Sequence, residues 1–443
     1  MGDNELTREH SSENQSLTVP YPEALDQAFA EARGEYRLCL KLASGSTGTI
    51  YLAMYRGTDG LCRPVVIKRI HAYLANRLEF VEMFFNEAQI AASIDHPAVC
   101  ALYDFGRTKD TYFLAMEYLV GETFEQVTKQ LRIQRDGVER VRVPRYLARL
   151  AVEVCEGLQA VHEASDNTGV SLAVVHGDIT PRNLFALYDG SARVTDFGSA
   201  FSRDQPRQHA AGVGKGKLAY MSPEQLSNSA LDRRSDVWSL GVVLWEMLAL
   251  SPLFAEENVS ATVRAVRELK IEPPSSKNPV VPEQLDRIVL KALQREPAAR
   301  YNSARELAVE LEMFLGGQCD LVGPGDLTAW LERLFPGAAD RRREAVRVSR
   351  SMVDEANRRP PPLRAATKEQ AVAGTIAQAK RENDNAKQPA ASAAKQPGAQ
   401  RDWLRIGVIA AFVLSLVLLA SAYFASNSRR PYEDTQPLGR QTQ

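Results

Sequence analysis

A chain of 443 residues with 54 Lys and Arg against 55 Asp and Glu carries a formal charge of −1, which gives no electrostatic reason to expect a nucleic-acid partner. The length allows two or three domains. The five cysteines, Cys39, Cys62, Cys100, Cys155 and Cys319, are odd in number, widely spaced and mostly set in apolar runs; this argues against a disulfide framework, and no Cys-x-x-Cys grouping suggests zinc. Residues 1–34 are polar, with no apolar run of the kind a secretory signal needs, and read as a disordered tail. Short strands follow at Tyr36–Leu42, Thr49–Tyr55 and Pro64–Ile70. The turn between the first two, Ala43-Ser44-Gly45-Ser46-Thr47-Gly48, is built from small residues that would let backbone N–H groups approach a phosphate, although an ordinary hairpin has the same look. Lys68 ends an apolar strand, where an inward-pointing ammonium needs an anion. The spacing of Phe80, Phe84, Ala88 and Ala91 predicts a helix over Arg77–Ser93 with Glu87 on an adjoining face, a candidate partner for Lys68. Strands are expected at Leu102–Phe105 and Tyr112–Tyr118, and Lys129–Arg145 reads as a charged, irregular, exposed insertion. Beyond Pro144, the helical spacing of Leu147, Leu150, Ala151, Val154, Leu158 and Val161 predicts a core helix.

The next stretch, Val174 to Phe185, carries Asp178 and, five residues later, Asn183, and Asp196 stands thirteen residues beyond that. This is the order in which a phosphoryl-transfer site collects a base and two metal ligands. His176-Gly177-Asp178 with Asn183, Asp196-Phe197-Gly198, Val65-Val66-Ile67-Lys68, Ser222-Pro223-Glu224, the helix opening at Asp236-Val237-Trp238 and the late Arg300 together resemble, in order, the motifs of the protein-kinase family. The resemblance covers about 35–315 and implies an α+β, two-lobed fold with a small β-rich N-lobe and a large helical C-lobe. It also implies ATP and Mg2+. Asp178 would be the base, Asn183 and Asp196 the metal ligands, and Lys68, held by Glu87, the contact to the α/β-phosphates. Ala43, Gly45, Gly48, Ile50, Val66, Met116, Glu117 and Leu119 would enclose the nucleotide. Glu224 would pair with Arg300, and Asp236 would brace the catalytic loop.

The pattern is departed from in places: Ala43 replaces a glycine, Val66 an alanine and Ser222 an alanine, while Gly177 stands where many members have the Arg that reads an activation-loop phosphate. Between Ser199 and Met221 the only hydroxyl candidates besides Tyr220 are Ser199 and Ser202, so activity is expected not to depend on phosphorylation there. Thr180 replaces the usual Lys near the transferred phosphate, and Lys217 is expected to supply that charge beside Asp178 from the other side. Within that resemblance, Pro181 and the absence of the A-A-R-like run of tyrosine kinases favour Ser/Thr over Tyr hydroxyls, and Ser222-Pro223-Glu224, the Asp236 helix and Arg300 favour proteins as acceptors. His176-Gly177-Asp178 also resembles the aminoglycoside and choline phosphotransferases, and an inert kinase-fold scaffold is a third reading.

From 316 to 405 a short helical piece, Gly325–Phe335, is expected to give way to a disordered linker, first basic (Arg341-Arg342-Arg343, Arg347, Arg350) and then rich in Ala, Pro and Gln. Ile406–Phe424 carries no charge over about 20 residues, the length that crosses a ~30 Å hydrocarbon core, and predicts one transmembrane helix. Gly407, Ala411 and Ser415 fall at four-residue spacing, which would let two such helices approach as a homodimer. The general layout resembles bacterial eukaryotic-like Ser/Thr kinases and implies an inner-membrane protein with its kinase domain in the cytoplasm, where ATP is. The tail 425–443 is too short to fold alone.

Overall fold

The computed structural model describes residues 36–358, apart from 58–60, 109, 135–137, 167, 203–214, 228, 255 and 318–320. All of these belong to the first of the two units into which the chain divides, Met1–Pro360. Residues 1–34, the Ala/Pro/Gln-rich segment and the apolar run 406–424 lie outside the described residues. Among the described residues no helix is long and apolar enough to cross a membrane.

Burial with period two shapes the first lobe. Strands β1 (Tyr36–Ser44), β2 (Gly48–Arg56), β3 (Cys62–Ile70), β4 (Leu102–Arg107) and β5 (Tyr112–Glu117) form an antiparallel sheet of order β1-β2-β3-β5-β4. Helix α1 (Leu78–Ala92), inserted between β3 and β4, lays Phe84, Ala88 and Ile90 inward. Beyond β5 the chain crosses to the second lobe, whose small sheet β6 (Gly121–Thr123), β7 (Leu184–Leu187) and β8 (Ala192–Val194) carries the loops of the candidate site.

The second lobe is helical: α2 (Phe124–Ile133), α3 (Val143–His162), α4 (Lys215–Leu218), α5 (Pro223–Ser227), α6 (Arg234–Ala249), α7 (Val259–Glu268), α8 (Glu283–Ala292), α9 (Ala304–Gly316), α10 (Pro324–Leu334) and α11 (Ala338–Arg358). Helix α6 is buried on every side after its first residue, the mark of a helix at the centre of a lobe.

Two expectations are corrected. Lys129–Arg145 is not an irregular insertion: Lys129–Ile133 completes α2, Val143–Arg145 opens α3, and a 3₁₀ turn, Val138–Val141, lies between. Thr123 and Gln126 form a capping box that starts α2, and its Val127 and Leu131 are buried; the charges that suggested a loop line the outer face. Nor is the basic run that follows the short helical piece a disordered linker. After α10 buries Leu327, Trp330, Leu331 and Leu334 in the core of the second lobe, the basic run folds as α11, 21 residues long. Arg343–Asp340 and Arg347–Glu344 pairs on its exposed side offset the basic charge.

The described cysteines are free thiols, Cys100 and Cys155 buried, Cys39 and Cys62 partly so; Cys319 lies outside the described residues. Gly190, between β7 and β8, has φ of +85°, and a Cβ there would run into the Pro324 carbonyl at the start of α10. Gly190→Ala should therefore cost at least about 1–3 kcal/mol, read as an earlier urea midpoint, because it combines left-handed strain with a backbone clash.

Candidate active site

Strand register assembles the first wall of the site. In β2 and β3, Ile50 lies opposite Lys68, and in β3 and β5, Val66 lies opposite Met116. Ala43 pairs with Ile50, and the turn that follows is closed by Gly45 N–H donating to the Gly48 carbonyl at 2.8 Å. Side chains from beyond β3 hold the tip of this turn: His71 Nε2 lies 2.9 Å from the Gly45 carbonyl, and Tyr73 Oη donates to the Ser46 carbonyl at 3.1 Å. Glu117 spends its N–H on the Ala101 carbonyl at 2.9 Å, and Leu119 is buried with Cys100 and Leu187, packed by Met116.

Three charges from three distant segments meet beneath this wall. Lys68 Nζ donates to Glu87 Oε1 at 2.7 Å and to Asp196 Oδ1 at 2.9 Å. Burial alone would lower the Lys68 pKa, but Asp196 and Glu87 outweigh it and hold the ammonium charged. Lys68 in turn drives Asp196 down to about 2. Glu87, 6% exposed in its side chain, is pushed up to about 6, chiefly by burial. One ammonium between two carboxylates leaves an excess negative charge, with Glu87 shut away from water and Asp196 partly open to it.

The loop between α3 and β7 supplies the rest. His176 N–H and Gly177 N–H donate to the two oxygens of Asp236, each at 2.9 Å, and His162 Nε2 donates to the same carboxylate at 2.8 Å. Burial favours protonation of Asp236, yet the His162 contact, the nearby His176 and the Gly177 N–H together keep its pKa below the usual carboxylate value. Gly177 sits at φ +70°, and its carbonyl accepts from Gln225 Nε2 at 3.1 Å. A Cβ there would press on the Ser199 carbonyl at 3.1 Å, so the arginine that many similar loops carry would be strained in this one. Asn183 Nδ2 donates to the Asp178 carbonyl at 2.9 Å and, more weakly, to Asp178 Oδ2 at 3.3 Å. Lys217 Nζ donates to Ser199 Oγ at 2.7 Å and stands 3.1 Å from Asp178 Oδ2. Asp196 has φ +67°, a conformation rare outside glycine and costing about 1–3 kcal/mol, of the kind that collects at functional sites. Further away, Arg300, fully buried, donates to both oxygens of Glu224 at 2.7 and 2.8 Å.

The sequence reading brought Lys68, Glu87, Asp178, Asn183, Asp196 and Lys217 forward, and the structure gathers them in one cleft. It missed His162, Gln225, Ser199 as a partner of Lys217, and Asn86, whose Nδ2 donates to the Ala200 carbonyl at 2.9 Å. None of these sits at a spacing that marks a site; each acts across a long sequence separation.

Asp196 and Asn183 suit a magnesium ion. Among the described residues no group of three or more His, Cys, Asp or Glu is placed to cage a metal. Mg2+ keeps water and phosphate oxygens as most of its ligands and needs only one or two protein oxygens. The excess negative charge beside Lys68 favours a cation, and the Asn183 amide, its nitrogen committed to Asp178, offers its oxygen.

Residues 36–310 match the family model described as the protein kinase domain. The chain is 38% identical over 318 residues to tyrosine-protein kinase MasK of Myxococcus xanthus, covering 72% of this chain and 49% of that protein. It is 31% identical over 281 residues to serine/threonine-protein kinase PrkC of Bacillus subtilis (63% and 40%). It is 33% identical over 267 residues to serine/threonine-protein kinase PknB of Mycobacterium tuberculosis (58% and 40%). The chain thus spans half or less of the length of these relatives.

The raised pKa of Glu87 has a measurable consequence. The folded state holds this proton more tightly than the unfolded chain, so the cost of ionising Glu87 is nearly absent below the ordinary value of 4.5 and complete above about 6. Glu87→Gln, which leaves Lys68 balanced against Asp196 alone, should stabilise the nucleotide-free protein by about 2 kcal/mol at pH 7.5. The gain should vanish toward pH 4, while phosphate transfer falls. Urea unfolding at the two pH values checks it.

Proposed function

This chain belongs to the protein kinase family, in its bacterial eukaryotic-like branch, whose members use ATP and Mg2+, and on that premise we propose that it is a membrane-anchored kinase phosphorylating Ser or Thr hydroxyls of other proteins. The observation that carries the reading is Lys68 bonded at once to Glu87 and Asp196, and it is supported by Asn183 bonded to Asp178: the polar group types that phosphoryl transfer uses are all present in the chain. This favours an active enzyme over a scaffold.

Asp178 orients the acceptor hydroxyl and takes its proton, and Lys68 steadies the α/β-phosphates. Asn183 and Asp196 would hold Mg2+, which when bound neutralises phosphate charge. Lys217 supplies a second positive charge beside Asp178, the role that Thr180 cannot fill. Ala43, Gly45, Gly48, Ile50, Val66, Met116, Glu117 and Leu119 enclose the nucleotide. A protein acceptor is favoured over a small molecule by an open groove of about 410 Å³ beside the catalytic loop, lined by Pro181, Gly216 and Tyr220 and by Glu125, Glu246 and Glu256. PrkC and PknB are named serine/threonine kinases and MasK a tyrosine kinase, so the acceptor residue is the point the experiment must decide. For the anchor, the support is the uncharged run 406–424, which would place the kinase domain at the cytoplasmic face of the inner membrane and could pair with a second copy.

With labelled MgATP and a basic protein acceptor, the chain should label Ser or Thr, and Asp178→Asn should abolish the signal; label on Tyr alone would overturn the Ser/Thr assignment. Lys217→Ala should lower turnover about 10²-fold, as loss of one electrostatic stabiliser does. A loss under about threefold would end the role given to Lys217. Deleting 406–443 should move the protein from the membrane fraction to the supernatant.

A further inference from the structure

Helix α11 lies outside the part of the chain that matches the kinase family model, yet it is bound to both lobes. Its first residues, Ala338 and Ala339, are buried in the core of the second lobe. One turn on, Arg342 makes a two-pronged pair with Glu122, Nη2 to Oε2 at 2.7 Å and Nε to Oε1 at 3.1 Å. Glu122 is 4% exposed and also accepts from Tyr188 Oη at 2.8 Å. It belongs to β6, which pairs with β7 so that Glu122 faces Ala186, three residues past Asn183. Tyr118, in the crossing between the lobes, lies within the electrostatic reach of Arg342 as well. Further along, the helix packs on β1, β2 and β3 of the first lobe, where Ser349 and Val353 are buried and Arg350 Nη2 donates to the Cys62 carbonyl at 3.1 Å.

The inward positions are Ala338, Ala339, Arg342, Ala345, Val346, Ser349 and Val353, one stripe at helical spacing. Besides the contacts across the cleft, such as Lys68–Asp196 and Asn86–Ala200, two segments join the lobes: the crossing segment Tyr118–Val120, and a 21-residue rod running from the exit of that segment up the first lobe. A rod fixed at both ends opposes rotation of one lobe on the other, and kinase lobes must rotate to admit and release nucleotide.

We propose that α11 is a strap across the two lobes and that Arg342 is a positioning residue for the nucleotide, acting through Glu122 and the crossing segment. The strap keeps the cleft near its closed angle, so it tightens nucleotide binding and slows nucleotide release. It does not touch the reacting atoms. The inference rests on the kinase reading of the cleft.

Two variants of the full chain test it. Arg342→Ala removes the lower anchor, and Val348→Pro breaks the rod at an exposed position between the anchors without removing either. Both should raise the KM for ATP about tenfold, equivalent to about 1.4 kcal/mol, and speed release of a fluorescent ADP analogue by a similar factor. The KM for the protein acceptor should not move, and Arg342→Lys should recover part of the loss. A purely structural helix would instead shrink the active fraction, lowering apparent kcat at unchanged KM for ATP, and that result in either variant would overturn the strap. Should Arg342→Ala fold poorly because Glu122 is left unpaired, Val348→Pro decides alone. Release of the ADP analogue needs no acceptor, so a chain that labelled no protein would count against the proposed function while the release rates still judged the strap.

Discussion

Everything at the catalytic centre hangs on the carboxylate of Asp236. A charge buried at the heart of a helical lobe is tolerated only if its oxygens are filled, and three N–H groups fill them: His162 Nε2 and the backbone amides of His176 and Gly177. Two consecutive amides pinned to one carboxylate fix the loop's path before any ligand arrives. Gly177 then turns through the left-handed region, and Asp178 emerges beside Asn183 and Lys217. The fixed partners of Asp236 are what allow a loop, ordinarily the most variable part of a fold, to present a base with defined geometry.

The second feature of the centre is imbalance. Lys68, Glu87 and Asp196 form a cluster with one charge too many, and Asp196 holds a strained backbone. Both cost stability in the empty protein. Both make sense if the site is completed by a cation and a nucleotide, for stability forgone by the empty state reappears as affinity for what balances it. On the far side of Asp178, Lys217 sets an ammonium 3.1 Å from its carboxylate, from a segment well separated from the loop along the chain.

The extension past the matched kinase region ties these local features to the motion of the whole. Helix α10 is locked to the β7–β8 turn at Gly190 and stacks Trp330 on Tyr146 with centroids 5.0 Å apart, so it belongs to the second lobe as firmly as the helices before it. Helix α11 then carries that rigidity to the first lobe. The angle between the lobes is therefore set from two directions, and the chain beyond Arg358 continues from the element that sets it.

Much of this was legible in order alone. The strand alternation, the helix bearing Glu87 and the Asp178–Asn183–Asp196 spacing follow from local patterns, and the pairing of Glu224 with Arg300 came from the resemblance to the kinase family. Helix α11 was not legible: its inward stripe is mostly Ala, Arg and Ser, with two Val, where a strong signal would be Leu or Ile, and a run of arginines reads as solvated until Glu122, more than two hundred residues earlier, is seen to meet it. For the same reason α2 hid behind its charges. The sequence by itself determined the family of the chain and which polar groups are candidates for its chemistry, since the kinase motifs restrict the residue types at those positions. Only the tertiary structure decided how they are held, because the contacts of His162, Gln225 and Arg342 join segments whose separation along the chain carries no periodic signal.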